Sequence, residues 1–231
     1  MISQFQRVEL LVGSEALKKF AQTRVLVFGL GGVGSWCAEA LVRSGIGKIG
    51  IIDFDTVCAS NINRQIQATG RSIGIGKARL MQERLLEINE KCEVTAWDKI
   101  FCRENSGEFN IENADYVIDA IDSLNHKLDL IEITCASGVS FFSSMGMAKK
   151  LDPARIKTGS IWETQVCPLA KQVRQGLRKR GFSGDFTVVY SDEPPLQHAH
   201  DSNSKGSVVT VTATAGMILA SLVLRDVMDN A

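Results

Sequence analysis

Strands and helices alternating through most of the 231 residues predict an α/β fold, a doubly wound and largely parallel sheet with helices on both faces and a C-terminal α+β extension. Three observations carry this. The β-branched and apolar run Arg24-Val25-Leu26-Val27-Phe28 leads into the glycine turn Gly29-Leu30-Gly31-Gly32-Val33-Gly34, and that turn leads into Ser35 to Val42, which has helical spacing. A second apolar run, Lys48-Ile49-Gly50-Ile51-Ile52, ends in Asp53-Phe54-Asp55, roughly twenty residues past the first glycine. The strand-then-helix alternation then recurs, as it must where parallel strands are joined by crossovers.

The glycine turn makes the sheet Rossmann-like. Gly29, Gly31 and Gly34 have the spacing in which one glycine turns the chain, one lets backbone approach a phosphate, and one lets the helix pack closely on the strand. With Gly32, they place the free amides of a helix start against an anion. Asp53 and Asp55 stand where a carboxylate can accept hydrogen bonds from a ribose.

The remaining elements follow in order. Arg7 to Leu11 and Ser14 to Phe20 read as two short helical pieces broken at Gly13, ahead of the sheet. Arg7 could reach an active site, although its residue type alone reads as a surface charge. After the second strand comes the polar, aperiodic segment Thr56 to Gln65, followed by a helix from Gly76-Lys77-Ala78 to Ile88. A segment leaving the carboxyl end of such a strand lies where ligands bind. Asn61, Arg64, Gln65 and Lys77 could there clamp nucleotide phosphates, or else form a solvated loop and an ordinary helix. Glu93 to Trp97 is a third strand, Asp115 to Asp119 a fourth and Ser140 to Ser144 a fifth, with weak helical character near Glu104 to Phe109 and a helix over Asn125 to Ala136. Asp122, preferred over Asp119, could hold Mg²⁺ against phosphates, or cap that helix.

Beyond Met145 the pattern changes. Arg155 to Trp162 alternates as a strand, Leu169 to Arg180 is a basic helix, and Phe186 to Tyr190 is another strand. Lys171, Arg174, Arg178, Lys179 and Arg180 form either a solvated face or a surface for RNA phosphates. Residues 191–206 read as a long loop in which His198 and His200 lack further metal ligands, and Val208 to Leu224 reads as a buried final helix rather than a membrane segment.

Length fits one domain over 1–231, with 1–147 as a nucleotide-binding half and 148–231 as a substrate-side half. Lys plus Arg and Asp plus Glu number 26 each, so net charge supplies no general affinity for nucleic acid or membranes. The six cysteines form no Cys-x-x-Cys pair, which disfavours a zinc site, and the first residues have no signal-peptide pattern. A cytoplasmic protein with reduced thiols is expected.

Two reaction classes use a nucleotide in such a cradle. Hydride transfer from NAD would leave Arg64, Lys77 and Asp122 without a joint task. Carboxylate adenylation needs them all: cations for the phosphates and departing pyrophosphate, and a carboxylate for magnesium.

The glycine turn, Asp53-Phe54-Asp55, Asn61-Ile62-Asn63-Arg64-Gln65, Gly76-Lys77-Ala78 and Asp119-Ala120-Ile121-Asp122, in that order, resemble the ubiquitin-activating-enzyme-like (ThiF/MoeB/HesA-type) adenylyltransferases. The resemblance implies ATP and Mg²⁺, with Asp55 on the ribose, Arg64 and Lys77 on phosphates, and Asp122 serving magnesium and adenylation. It also implies a homodimer in which Arg7 enters the partner's ATP site. Arg7 to Gly13, Ser143-Ser144-Met145-Gly146, Lys150-Leu151-Asp152-Pro153, Val166-Cys167-Pro168-Leu169 and Val188-Val189-Tyr190-Ser191 resemble the branch acting on threonylcarbamoyladenosine in tRNA. That branch implies activation of the threonylcarbamoyl carboxylate followed by cyclisation. The alternative is activation of the C-terminus of a ubiquitin-like sulfur-carrier protein, whose activators often carry the paired zinc cysteines missing here. The resemblance leaves room for a sulfur-transfer partner protein and for a monovalent cation, Na⁺ or K⁺, at no assigned site. Cys167 reads as structural, although a helix N-terminus can activate a thiol.

Overall fold

The computed structural model describes residues 4–196 and 206–229. Two short helices, α1 (Gln6–Val12) and α2 (Ser14–Gln22), precede the sheet. Then follow β1 (Arg24–Phe28), α3 (Gly34–Arg43), β2 (Lys48–Ile52), α4 (Lys77–Ile88), β3 (Glu93–Trp97), β4 (Tyr116–Asp119), α5 (Leu124–Ser137) and β5 (Ser140–Ser144). The last elements are β6 (Ile156–Ser160), α6 (Pro168–Lys179), β7 (Thr187–Ser191) and α7 (Val209–Asp229). The strands form one seven-stranded sheet in the order β3-β2-β1-β4-β5-β7-β6. All neighbours are parallel except β6 and β7, so the expected extension joins the same sheet at its edge.

Alternation along β1 divides the interior in two. Val25 and Val27 face a core built with Cys37 and Leu41 of α3 and Ala215 and Leu219 of α7. Leu26 and Phe28 face the other core, with Ile131 of α5 and Val173 of α6. The stretch of weak helical character is a 3-10 segment, Arg103–Phe109. It completes an aromatic cluster in which Phe28 meets Phe101 and Phe109 edge-on, with ring centroids 5.1 and 5.6 Å away.

Three expectations are modified. The strand read over Arg155 to Trp162 stops at Ser160, whose hydroxyl accepts the Trp162 amide at 3.1 Å and starts a 3-10 turn. The basic helix is α6, but much of its charge is engaged within the protein. Arg180 pairs with Asp129 at 2.7 Å and Glu132 at 3.0 Å, the Arg178 guanidinium lies 5.3 Å from the Trp162 ring centroid, and Arg174 donates to the Thr164 hydroxyl. Of the five cations, Lys171 and Lys179 are exposed and enter none of these contacts, so α6 is a weaker RNA surface than its composition implies. The third concerns α7, whose 21 residues exceed the expected span and are apolar enough in composition to cross a bilayer. It nevertheless lies in the core, with Val211, Ala215, Leu219 and Val223 buried. Thr212 and Thr214 fit there because their hydroxyls donate to the carbonyls of Val208 and Thr210 at 3.3 and 2.7 Å. His198 and His200 lie outside the described residues.

The contact between α7 and α3 requires a glycine. A Cβ at Gly216 would stand 2.4 Å from the Val33 carbonyl oxygen and 3.0 Å from the Cys37 amide nitrogen, both backbone atoms that cannot rotate aside. Gly216→Ala is therefore expected to destabilise the protein by about 1–3 kcal/mol through overpacking. Thermal unfolding checks it, and an unchanged Tm would mean that the two helices are free to separate.

Candidate active site

Strand order reverses at β1, which has β2 on one side and β4 on the other. Connections leaving the carboxyl ends of these strands diverge, and a crevice opens between them. A cavity of about 940 Å³ fills that crevice.

Its floor is the glycine turn. The Gly29 amide donates to the Ile52 carbonyl at 2.8 Å, tying the end of β1 to β2. At the head of α3, a Cβ on Gly34 would fall 1.8 Å from the Gly29 carbonyl oxygen, so this glycine sets how closely helix and strand approach. Gly34 thus shapes the turn from outside the cavity, whereas Gly29, Gly31 and Gly32 line it.

Asp53 and Asp55 divide their work in a way the sequence reading did not anticipate. Both oxygens of the buried Asp53 are engaged by backbone amides, Oδ2 by Leu30 at 2.6 Å and Oδ1 by Asp55 at 2.8 Å. Burial raises the Asp53 carboxyl above its ordinary range, against the pull of Lys77 and of the two amides. Asp53, which also lines the cavity, therefore braces the turn. Gln67, which the sequence reading passed over, completes the brace by donating to the Leu30 carbonyl at 2.8 Å. Asp55 is half exposed on the cavity wall and pairs at 2.7 Å with the ammonium of Lys77, a buried side chain in the first turn of α4.

The segment after β2 supplies the next wall. Asn61 closes a 3-10 turn by accepting the Cys58 amide at 3.0 Å. The Trp36 indole donates to the Arg64 carbonyl at 2.9 Å, and the Arg64 guanidinium is steadied by the Ser60 carbonyl at 2.7 Å and the Asn63 side-chain oxygen at 3.0 Å. Gln65 also lines the cavity, and its Oε1 is buried with no hydrogen-bond partner. An acceptor buried without a donor is costly, and a ligand that brings one relieves the cost.

Across the cavity, past the end of β4, Asp119 and Asp122 separate cleanly. Asp119 is fully buried and paired with Lys127 at 2.6 Å. Asp122 is exposed along the cavity, and the N-cap of α5 is Ser123, so the capping role considered for Asp122 is not observed. Arg64, Lys77 and Asp122 thus share one cavity. Arg7 does not line it; it is exposed on α1.

The far wall comes from Ser144 to Lys149, with Pro168 and Leu169 at the head of α6. The sequence carried one signal for it, since residues following a parallel strand's carboxyl end belong to the site. Behind this wall the buried Lys150 donates to the Glu193 carbonyl, and the Glu193 carboxylate accepts the Leu151 and Asp152 amides at 3.0 Å. Burial lowers the Lys150 ammonium below its usual range. Among the described residues, no group of three His, Cys, Asp or Glu side chains is placed to hold a metal ion.

A glycine turn with Arg64, Lys77, Asp55 and Asp122 around one cavity at a sheet's switch point defines a nucleotide-dependent α/β protein, and the chain belongs to the ThiF family, whose pattern matches residues 4–230. Within that family, it is 37% identical over 245 residues to tRNA threonylcarbamoyladenosine dehydratase of Bacillus subtilis (strain 168), covering 100% of this chain and 96% of the relative. The Escherichia coli (strain K12) protein of the same name is 34% identical over 246 residues, covering 96% of this chain and 92% of that protein. The crystal structure of the E. coli enzyme, TcdA, in complex with ATP superposes with a TM-score of 0.90 at 35% identity, covering 98% of this chain and 94% of the other.

The brace behind the glycine turn makes a direct prediction. Asp53→Ala orphans the buried Leu30 amide and the part-buried Asp55 amide and should cost about 2–6 kcal/mol, at roughly 1–3 kcal/mol for each group. A Tm equal to that of the unaltered protein would show that water or another acceptor replaces the carboxylate.

Proposed function

We propose that this protein is an ATP-dependent enzyme that adenylates the threonylcarbamoyl carboxylate of threonylcarbamoyladenosine in tRNA and so drives its cyclisation. The observation that carries the reading is the convergence of Arg64, Lys77 and Asp122 on one cavity above the glycine turn. Similarity to proteins named for this activity, over nearly the whole chain, supports the choice of substrate.

The triphosphate lies over Gly31 and Gly32, where backbone can approach closely, and Asp55 accepts from the ribose. Asn61 and Gln65 complete the wall around the nucleotide, the Gln65 oxygen taking a donor from it. Arg64 and Lys77 offset charge that builds at the α-phosphorus and on departing pyrophosphate. The substrate carboxylate attacks the α-phosphorus in line, giving a mixed anhydride and pyrophosphate. Intramolecular attack on the activated carbonyl then expels AMP, so that the substrate has lost the elements of water. Exclusion of bulk water by the far wall protects the anhydride meanwhile. Asp122 would hold Mg²⁺, an ion that favours one or two carboxylates together with phosphate oxygens, and that ion supplies charge neutralisation on the nucleotide.

The active form in this reading is a homodimer working in the cytoplasm, with Arg7 of each copy reaching the other's ATP site. Leu10 and Leu11 beside it on α1 are 74% and 84% exposed, an apolar surface that a second copy would cover.

Pyrophosphate exchange tests the proposal. Labelled pyrophosphate should enter ATP when threonylcarbamoyladenosine tRNA is present, and should not when a Gly-Gly-ended carrier protein replaces it. The reverse result would make the protein a sulfur-carrier activator. Lys77→Met is expected to weaken binding of a non-hydrolysable ATP analogue at least tenfold, about 1.4 kcal/mol or more, consistent with loss of a charge-assisted contact. Titration calorimetry measures this, and unchanged affinity would remove Lys77 from the nucleotide site. Asp122→Ala should abolish exchange without lowering Tm, because the side chain is exposed and caps no helix. Full turnover by that variant would exclude Asp122 from the chemistry.

A further inference from the structure

Lys127 and Asp119 form an ion pair with both side chains at 0% exposure, directly behind the cavity. Neither touches it. Burying two charges costs more than burying an apolar pair of the same size, so such a pair is poor stability engineering, and its geometry has to be examined for another use.

The contacts are specific. Asp119 ends β4, and its Oδ1 accepts the Ile121 amide at 3.0 Å, fixing the turn that presents Asp122. Its Oδ2 accepts both the Lys127 ammonium at 2.6 Å and the Ser143 hydroxyl at 2.7 Å. The same ammonium donates to the Ser144 carbonyl at 3.1 Å, at the end of β5 where the far wall begins. Lys127 itself is fixed in the first turn of α5, its amide bonded to the Ser123 carbonyl at 3.0 Å. One buried pair therefore joins three pieces of backbone: the turn bearing Asp122, the end of β5 and the start of α5.

We propose that Asp119 and Lys127 are positioning residues whose buried pair sets the spacing between Asp122 and the substrate wall at Ser144 to Gly146. The proposal rests on the adenylation reading. Its charges lie where apolar side chains would serve stability as well, but only directed hydrogen bonds can fix Ile121 and Ser144 relative to each other. Loosening the clasp displaces Asp122 from the wall it faces while leaving the glycine turn, Lys77 and Arg64 in place.

The test is the double variant Asp119→Leu/Lys127→Met, which removes the pair without stranding either charge, together with Ser143→Ala as a milder change. Exchange with threonylcarbamoyladenosine tRNA is measured as kcat, KM for ATP and Mg²⁺ concentration at half-maximal rate, and amide hydrogen exchange is followed at Ile121. In the double variant, kcat should fall roughly ten- to a hundredfold, the loss typical of a reacting group misplaced by about an ångström. Half-saturation by Mg²⁺ should rise, the Ile121 amide should exchange faster, and affinity for an ATP analogue should stay within about threefold. Ser143→Ala should lower kcat in the same sense by a smaller factor. A folded double variant with kcat and Mg²⁺ dependence unchanged overturns the proposal, since a merely structural pair would behave that way. If the double variant does not fold, an unchanged kcat in Ser143→Ala overturns it instead. Absence of exchange in the unaltered protein would sink the adenylation reading separately, and protection of the Ile121 amide in the variants would then decide the clasp.

Discussion

The reversal of strand order at β1 is the constraint on which the rest depends. With β2 and β4 on opposite sides of β1, the connections after these strands turn away from one another and leave a crevice between them. The chain has placed its backbone-exposing residues there. Gly34 lets α3 pack closely against the turn, and Asp53 and Gln67 hold the amide and the carbonyl of Leu30. The cavity is thus built as a rigid floor with polar groups brought in from separate segments. Such an arrangement suits electrostatic stabilisation, because dipoles and charges fixed in advance need not reorganise during reaction.

Charge is handled differently at the two depths of the site. At the cavity surface, Lys77 pairs with the half-exposed Asp55, an interaction that a phosphate can replace because Asp55 can turn to water or to a ribose. Deeper in, Asp119 and Lys127 have no such alternative and remain locked. Exchangeable pairs therefore face the ligand, while fixed pairs hold the frame. The same division appears beyond β5, where Lys150 and Glu193 secure the backbone behind a wall that is itself largely apolar.

Much of this was legible in the sequence because the informative residues are close together in it. Apolar β-branched runs ending in glycine or aspartate place β1, β2 and β4, and the glycine spacing places the floor of the cavity. Asn61, Arg64, Gln65 and Lys77 were legible as cavity residues because all four follow the carboxyl end of β2. What stayed hidden depends on pairs distant in the chain. Nothing local shows that Asp53 turns back onto Leu30 or that Lys127 reaches Asp119 and Ser144, so the sequence offers no sign of either brace. The charges of α6 read as one basic surface because Asp129 and Glu132, which neutralise Arg180, lie on another helix. Arg7 is a different case: it is exposed on α1 and does not line the cavity of its own chain.

The central claim is that this cavity directs a substrate carboxylate onto the α-phosphorus of ATP. Threonylcarbamoyladenosine tRNA labelled with ¹⁸O in that carboxylate tests it most directly, with mass spectrometry of the released nucleotide and phosphates. Attack at the α-phosphorus predicts one labelled oxygen in AMP and none in pyrophosphate. Label in inorganic phosphate with ADP as the nucleotide product would place the attack at the γ-phosphorus and contradict the account.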